Sequence, residues 1–436
     1  MVKNKETQKE MERAEGENPE AQSTIGQATF NMGKTMVGAG VFGFPLSYAK
    51  TGFVTVTIMV VILACLIHWT IQTLIKSAIK INVKTYHDLM SKCFGRPGFI
   101  LYSIFSFLFA FGSMCAYVVV IGDSVPLVLS TILGIDGDDK LTGALVYITD
   151  RRIVITFVSF LVLLPVSSYR YIGKLGKLSF VGLSCILMIA FLVIVTGVTN
   201  PGPKAVSNPK ITVLKPAGIL SAIGTLCFAY VCHHATFKIY GSLKKGGAEP
   251  FKKVSMYSLG FACTMSLTIG ISGFLIFSTN IKSGNILNLF DSSNPLITIA
   301  RSLFAIDIIL TYPLELFIAR NTLFEVIFPG KVAKISDSVL MGFTITLVIA
   351  TTIIGVSTCN IGSILDITGG LAASAIAFIF PSACWLKVQG EPIFQFKNFS
   401  HILCVTIGCI VLVLTTYTSI EDFIDSEAID CKSINF

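Results

Sequence analysis

Long apolar runs separated by short polar segments make up most of the chain from about residue 25 onwards. An α-helix rises about 1.5 Å per residue, so an apolar run of about 20 residues can cross the hydrocarbon core of a bilayer. The pattern predicts eleven membrane-spanning helices, of which the third is longer than a bilayer needs. The predicted spans are residues 26–48, 53–75, 99–132, 153–168, 174–198, 217–240, 254–278, 295–318, 337–358, 361–386 and 400–420.

The composition agrees with an all-α polytopic membrane protein. Of the 436 residues, 53% are hydrophobic and only 13% are charged, which excludes a soluble globular protein. The net charge of +8 does not indicate nucleic-acid binding, because the charges lie between the apolar runs. Most of the twelve cysteines lie inside apolar runs and none has CxxC spacing, so we expect neither a disulfide framework nor a metal site.

The loop charges predict an orientation with the N-terminus in the cytosol and the C-terminus lumenal or extracellular. With that orientation the cytosolic loops carry eighteen basic residues and the opposite side carries ten, which satisfies the positive-inside rule. Residues 1–24 are polar and mixed in charge, and we expect a disordered cytosolic tail without a cleavable signal peptide. Residues 421–436 form the predicted short C-terminal tail.

The first span contains three glycines and a proline within the eight residues 38–45. Such a run weakens a helix at a depth where unpaired backbone is tolerated only beside a cavity. We therefore expect an interrupted helix whose free amide and carbonyl groups hold a carboxylate and an ammonium group. The alternative is that Gly38 and Gly40 only allow a neighbouring helix to pack closely.

Spans six and eight carry polar residues in mid-membrane. His233 and His234 are costly there and indicate a polar cavity, although hydrogen bonds to neighbouring helices would also explain them. Asp307 and Thr311 are four residues apart and share one helix face. A buried carboxylate needs a partner, and Lys34 in span one is the obvious candidate.

Three further charged residues are expected to have structural or gating roles. Glu315 and Arg320 are expected to form a structural or gating pair, and Asp366 to mark a gate or a flexible helix start. No nucleophile, base and oxyanion set occurs at usable spacing, so no enzymatic activity and no cofactor is expected.

Several short motifs occur along the membrane domain, from residue 28 to about residue 388. They are Phe30-Asn31, Val37–Pro45, Tyr48–Gly52, Tyr117–Asp123, Thr149–Arg152, Leu164-Pro165, Lys174–Lys177, Phe228–His234, Ile239-Tyr240, Leu310–Glu315 and Ile367–Gly370. Taken together, these motifs resemble the amino acid/auxin permease family, and within it the branch of sodium-coupled neutral and vacuolar amino acid transporters.

The resemblance implies a LeuT-type fold, with two inverted repeats of five helices and an accessory eleventh helix. The repeats would cover residues 25–198 and 217–388, and the accessory helix residues 400–420, within a transporter domain of residues 25–420. An amino acid would bind between interrupted spans one and six. The implied substrate-binding residues are Gly38, Ala39, Gly40 and Val41; Gly112, Cys115, Ala116 and Tyr117; and Phe228, Val231, Cys232 and His233.

One position departs from the sodium-coupled pattern. Sodium-coupled members have an asparagine four residues before the first glycine of the GxG motif, where this chain has Lys34. An ammonium group near Asp307 and Thr311 would occupy the space and charge that a sodium ion needs. We therefore expect an ion-coupling site of Lys34, Asp307 and Thr311 that uses protons. The alternative for Lys34 is that its side chain extends to the cytosolic face.

The expected function is secondary active amino acid transport by alternating access. We expect neutral amino acids as substrates, because the span-three pocket looks roomy and uncharged, although the two histidines leave acidic or basic amino acids open. The alternatives are an amino-acid sensor that signals through partners and a sodium-coupled symporter. The short tail disfavours the sensor, and no filter sequence supports a channel. Lys34 favours a vacuolar or lysosomal membrane over the plasma membrane. The expected partners are an amino acid, protons and membrane lipid, without nucleic acid.

Overall fold

A computed structural model describes residues 23–134, 147, 149–170, 176–244, 246–331, 335–390 and 392–426, apart from the side chains of residues 176–179, 217, 423, 425 and 426. The described residues form helices and short connections. Most of the predicted N-terminal tail, up to residue 22, and the end of the C-terminal tail, from residue 427, lie outside the described residues.

Among the residues described in the first half of the chain, seven α-helices form. A 3₁₀ segment over Ala39–Gly43 lies between the first two, and a π-helical turn over Ser159–Leu163 joins the fifth to the sixth. The helices are α1 Ile25–Met36, α2 Phe44–Thr51, α3 Phe53–Lys80, α4 Tyr86–Leu133, α5 Arg151–Val158, α6 Leu164–Ser167 and α7 Gly176–Thr199.

The described part of the second half forms eight more α-helices. Two π-helical turns, Gly369–Ala373 and Ala375–Ile379, lie between the sixth and seventh of them. These helices are α8 Ile219–Tyr230, α9 His233–Gly241, α10 Ala248–Phe277, α11 Pro295–Ile327, α12 Asp337–Ser357, α13 Ile361–Thr368, α14 Phe380–Gln389 and α15 Phe399–Ser426.

The helices agree well with the apolar runs. Within the described residues, nine helical segments are long and apolar enough to cross a membrane, which establishes a multi-pass membrane protein. The two other predicted spans are helical but shorter, because α1 and α2 are interrupted and α5–α6 ends at Ser167. The third span is long as predicted, with α4 covering 48 residues and bending at Gly95, whose φ is 67°.

Local sequence explains several helix ends. Thr24 and Gln27 form a capping box at the start of α1, in which each side chain accepts a hydrogen bond from the other residue's backbone amide. Asn294 caps α11, whose first residue is Pro295, a position where the missing amide hydrogen costs nothing. Gly52 links α2 to α3 with a φ of 106°, a conformation that favours glycine.

Hydrogen bonds join the outer ends of the interrupted helices on both sides of the bundle. The amide of Ser23 donates to the carbonyl of Ser242 at 2.9 Å, which joins the start of α1 to the end of α9. At the other end, Oγ1 of Thr51 donates to the carbonyl of Gly218 at 2.9 Å, which joins the end of α2 to the start of α8. The inner ends of all four helices therefore meet in the middle of the bundle.

The cysteines depart from the sequence expectation at one position. Cys359, in the connection between α12 and α13, is disulfide-bonded. The sequence did not indicate this bond, because the cysteine spacing has no recognisable pattern. Ten other cysteines in the described part of the chain are free, and no metal-binding group of His, Cys, Asp or Glu occurs there.

Candidate functional site

The first span is interrupted at Val37 and Gly38. Val37 has extended backbone, with φ −90° and ψ 91°, and Gly38 has φ −143° and ψ −147°. The chain then re-enters a helical path through Ala39–Gly43 into α2. The predicted interruption is therefore confirmed, but it is shorter than residues 38–45, since the backbone from Ala39 onwards is helical.

A second interruption lies in span six, at two residues of which neither is a glycine or a proline. Val231 has φ −70° and ψ 121°, and Cys232 has φ −134° and ψ 11°, so α8 ends and α9 begins across these two residues. The breaks lie side by side. A methyl group at Gly40 would lie 2.9 Å from the Phe228 ring and 3.1 Å from Cα of Ala229, so only glycine allows this approach.

The two breaks place opposite helix ends around one point. The C-terminal ends of α1 and α8 and the N-terminal ends of the Ala39–Gly43 segment and α9 all face it. Helix N-termini carry partial positive charge and C-termini partial negative charge. This arrangement complements a zwitterion, whose carboxylate and ammonium groups need opposite ends.

A cavity of about 160 Å³ begins at the first break. It runs between α1, α9 and α11 towards the ends of α1 and α9 that Ser23 and Ser242 join. No atom lies within 4 Å of the position that a methyl group at Gly38 would take, so this glycine borders open space. The predicted site residues among its lining are Lys34, Gly38, Ala39, Tyr117, Asp307 and Thr311.

A buried ion pair forms one wall of this cavity. Nζ of Lys34 lies 2.6 Å from Oδ1 of Asp307, and the side chains are only 8% and 1% exposed. The side chain of Lys34 therefore does not extend towards the face predicted to be cytosolic, and its predicted pairing with Asp307 is confirmed. Gly182 on α7 makes room for the pair, because a methyl group there would lie 2.6 Å from Cε of Lys34.

Several polar groups around the cavity have unused hydrogen-bonding capacity. Oδ2 of Asp307, Oε2 of Glu315 and both ring nitrogens of His234 are buried and have no hydrogen-bond partner among the described residues. Glu315 and His234 both line the cavity. Thr311 is already engaged, since its Oγ1 donates to the carbonyl of Asp307 at 2.7 Å.

The two histidines have different environments. Nε2 of His233 shares a hydrogen bond of 3.0 Å with Oγ1 of Thr70 on α3, so its side chain points away from the cavity. His234 lines the cavity and packs on Phe109, with ring centroids 5.1 Å apart. Of the two histidines, His234 lines the cavity and the predicted site residue His233 does not, because consecutive helical residues point about 100° apart.

Other predicted site residues surround the breaks without forming the cavity walls. Gly112 lets α4 approach α13, since a methyl group there would lie 2.7 Å from Cγ2 of Thr368. The ring of Phe228 packs on Phe109 at 5.5 Å. The rest are buried in helix packing; they are Gly40, Val41, Cys115, Ala116, Val231 and Cys232.

Glu315 and Arg320 do not form the expected pair. Arg320 donates from Nη1 to Oγ1 of Thr344 at 2.7 Å and to the carbonyl of Ser167 at 3.2 Å, while Glu315 faces the cavity. A five-residue spacing on a helix sets the two side chains about 140° apart, which explains the divergence. Glu315 is thus a cavity residue that was not among the predicted site residues.

Asp366 is buried at the opposite end of the bundle from the cavity. Its carboxylate accepts hydrogen bonds from the hydroxyls of Ser221 and Thr225 on α8. Nζ of Lys50 donates to Oγ of the same Ser221 at 3.1 Å. This polar cluster joins α2, α8 and α13, so Asp366 belongs to a closed contact between helices and not to a flexible helix start.

Comparison with known proteins decides the family. The model of the family described as transmembrane amino acid transporter protein matches residues 21–421, almost the whole chain. The chain belongs to the amino acid/auxin permease family. Both interrupted helices and the cavity lie within the matched residues. The chain is thus a member of a family of amino acid transporters and not of an enzyme family.

Similar members of the permease family come from animals and yeast. A Bos taurus protein named "Putative sodium-coupled neutral amino acid transporter 11" is 28% identical over 387 residues, which cover 89% of this chain and 81% of the relative. The protein of that name from Danio rerio is 29% identical over 392 residues, covering 90% and 85%. Vacuolar amino acid transporter 2 of Saccharomyces cerevisiae is 26% identical over 411 residues, covering 92% and 84%.

Proposed function

We propose that this permease is a proton-coupled, sodium-independent carrier of neutral amino acids that works by alternating access on a LeuT-type scaffold. The observation that carries the proposal is the buried Lys34–Asp307 pair beside the first break. The substrate binds at the paired breaks, where the helix ends around Gly38 and Cys232 hold its carboxylate and ammonium groups.

The ion pair supports proton coupling over sodium coupling. The ammonium group of Lys34 already neutralises Asp307, and both residues line the same cavity as Thr311, which the family resemblance assigns to a sodium site. A sodium ion there would meet a like charge within a few ångströms in a poorly screened environment. The proton instead binds Oδ2 of Asp307, which has no partner among the described residues, and releases Lys34 from the pair.

The pair also connects coupling to movement. Lys34 is on α1 next to the break, and Asp307 is on α11. Protonation of Asp307 removes the attraction between the two helices, so α1 can move while α11 stays with its neighbours. The cavity runs towards one end of the bundle, and the Asp366 cluster closes the other. This asymmetry supports a conformation open to the side on which α1 begins.

The substrate class follows from the cavity lining. Leu310, Leu314 and Ile318 contribute apolar surface, and the Lys34–Asp307 pair is neutral overall. A neutral amino acid with a short apolar side chain fits such a wall.

The resemblance to vacuolar amino acid transporter 2 supports a vacuolar or lysosomal membrane, where an acidic lumen would drive export of the amino acid to the cytosol.

A sodium-coupled symporter is the second candidate, because the animal relatives are named as sodium-coupled. To distinguish the two candidate functions, uptake of radiolabelled alanine, glutamine and leucine into proteoliposomes is measured under separate sodium and pH gradients. We expect the pH gradient alone to drive uptake. The matched variant Lys34→Asn carries the asparagine of sodium-coupled members and should lose proton-driven uptake. Uptake by the unaltered protein that requires sodium at constant pH would establish the second candidate.

A further inference from the structure

An apolar groove of about 420 Å³ lies on the outside of the bundle between α3 and α15. Its floor includes Leu226 and Cys227 of α8, and its rims include Ile62 and Ile407. Ile62 is 61% exposed and Ile407 is 47% exposed, so the groove is open sideways. In a membrane-spanning bundle this opening faces the lipid.

One end of the groove is marked by the two tryptophans of the chain. Trp69, which lines the groove, stacks on His401 with ring centroids 4.6 Å apart, and Trp385 packs on the same imidazole at 5.6 Å. Tryptophans concentrate at the level of lipid headgroups. Nδ1 of the buried His401 has no hydrogen-bond partner among the described residues.

Exposed lysines surround this end. Lys76 is seven residues after Trp69, so it continues the same face of α3 beyond the groove. Lys80 donates to Oε1 of Gln389 at 2.8 Å, which brings the end of α3 next to the end of α14, where Lys387 is exposed. The stretches 69–80 and 380–390 contain no acidic residue, and the sequence continues with a single one, Glu391, against the three lysines. The end of the groove is therefore positively charged.

We propose that this groove binds one anionic phospholipid, with an acyl chain along α3 and α15 and its phosphate near Lys76. The charge at the Trp69 end complements a phosphate. The groove runs along α3 from Met59 to Trp69, ten residues or ~15 Å, which is half the thickness of the hydrocarbon core. An acyl chain of a single leaflet has this length.

The bound lipid would contact the helix that ends at the second break. Cys227 forms part of the groove floor, and its carbonyl accepts the hydrogen bond from the amide of Val231 at 3.1 Å, the last backbone bond before Cys232. Lipid in the groove therefore stabilises the end of α8. The binding itself does not depend on which ion drives transport.

Native mass spectrometry of the detergent-solubilised protein tests the proposal, with phosphatidylglycerol and phosphatidylcholine added separately. We expect one tightly held phosphatidylglycerol. Ile407→Trp fills the groove and should abolish this adduct, whereas Val413→Trp, on the same helix, 61% exposed and not part of the lining, should keep it. Lys76→Ala should weaken phosphatidylglycerol binding roughly five-fold, while the exposed Lys253→Ala should not.

Three results would overturn the proposal. The first is an adduct that Ile407→Trp leaves unchanged, which places the lipid elsewhere. The second is phosphatidylcholine bound as tightly as phosphatidylglycerol, or a sterol that displaces it. The third is a dimer that Ile407→Trp dissociates, which makes the groove a contact between two copies of the chain.

Discussion

Nζ of Lys34 lies 2.6 Å from Oδ1 of Asp307, although the two residues are 273 positions apart in the chain. The pair joins the end of α1, at the first break, to the middle of α11. Because both side chains are almost fully buried, neither charge can be lost alone without leaving the other unpaired in a poorly solvated environment.

Removing one member of the pair should destabilise the protein more than removing both. We expect Asp307→Asn or Lys34→Met alone to lower the free energy of unfolding by about 3–5 kcal/mol, because each leaves a buried charge uncompensated. The double variant should recover most of this loss and still fail to couple protons. Thermal unfolding in detergent measures the effect, and single variants as stable as the unaltered protein would contradict the burial of the pair.

Gly182 should be sensitive to the smallest substitution. In Gly182→Ala the new methyl group would approach Cε of Lys34 to 2.6 Å, so the ion pair has to shift. We expect a cost of about 1–3 kcal/mol and slower proton-driven uptake. Gly260→Ala is the control, since its methyl group would meet nothing within 4 Å. Equal uptake by both variants would show that the position of the pair is unimportant.

The adjacent histidines should separate binding from stability. His234→Ala removes a cavity wall and, with it, a hydrogen bond that the imidazole would make to the substrate. KM should therefore rise roughly five-fold, with little change in Tm. His233→Ala leaves Oγ1 of Thr70 without its imidazole partner and should lower Tm with little change in KM. The opposite assignment of the two effects would mean that His233, and not His234, faces the substrate.

The two glycines of the first break should also behave differently. Gly40→Ala forces the breaks apart at Phe228 and Ala229 and should reduce uptake and folded yield together. In Gly38→Ala the methyl group enters the open cavity, so the protein should fold normally and show a raised KM. Size-exclusion profiles and uptake kinetics distinguish the two. A Gly38→Ala variant with unaltered KM would place the substrate away from this break.

The sequence predicted the all-helical, multi-pass class and the helices well because the membrane imposes a single, strong constraint. A backbone in hydrocarbon must satisfy its own hydrogen bonds, so apolar runs of sufficient length read directly as helices. The same constraint located the first break, where Gly38 and its neighbours make a continuous helix costly. It also identified the partner of Asp307, since a buried carboxylate needs a cation and Lys34 lies inside the first span.

The remaining features depend on tertiary packing. The second break uses Val231 and Cys232, which have no intrinsic preference for leaving a helix, so only the surrounding helices can impose it. The choice between His233 and His234 depends on a rotation of one residue, which periodicity does not fix in a short helix. The disulfide at Cys359 had no signal in the cysteine spacing.

The central claim is that protons move with the amino acid through the Lys34–Asp307 pair without sodium. The most direct measurement records the internal pH of sodium-free proteoliposomes, loaded with a pH-sensitive dye, when a neutral amino acid is added outside. The account predicts acidification of the lumen that depends on the amino acid and is absent in Asp307→Asn. Uptake without any change of pH, or uptake only after sodium is supplied, would contradict it.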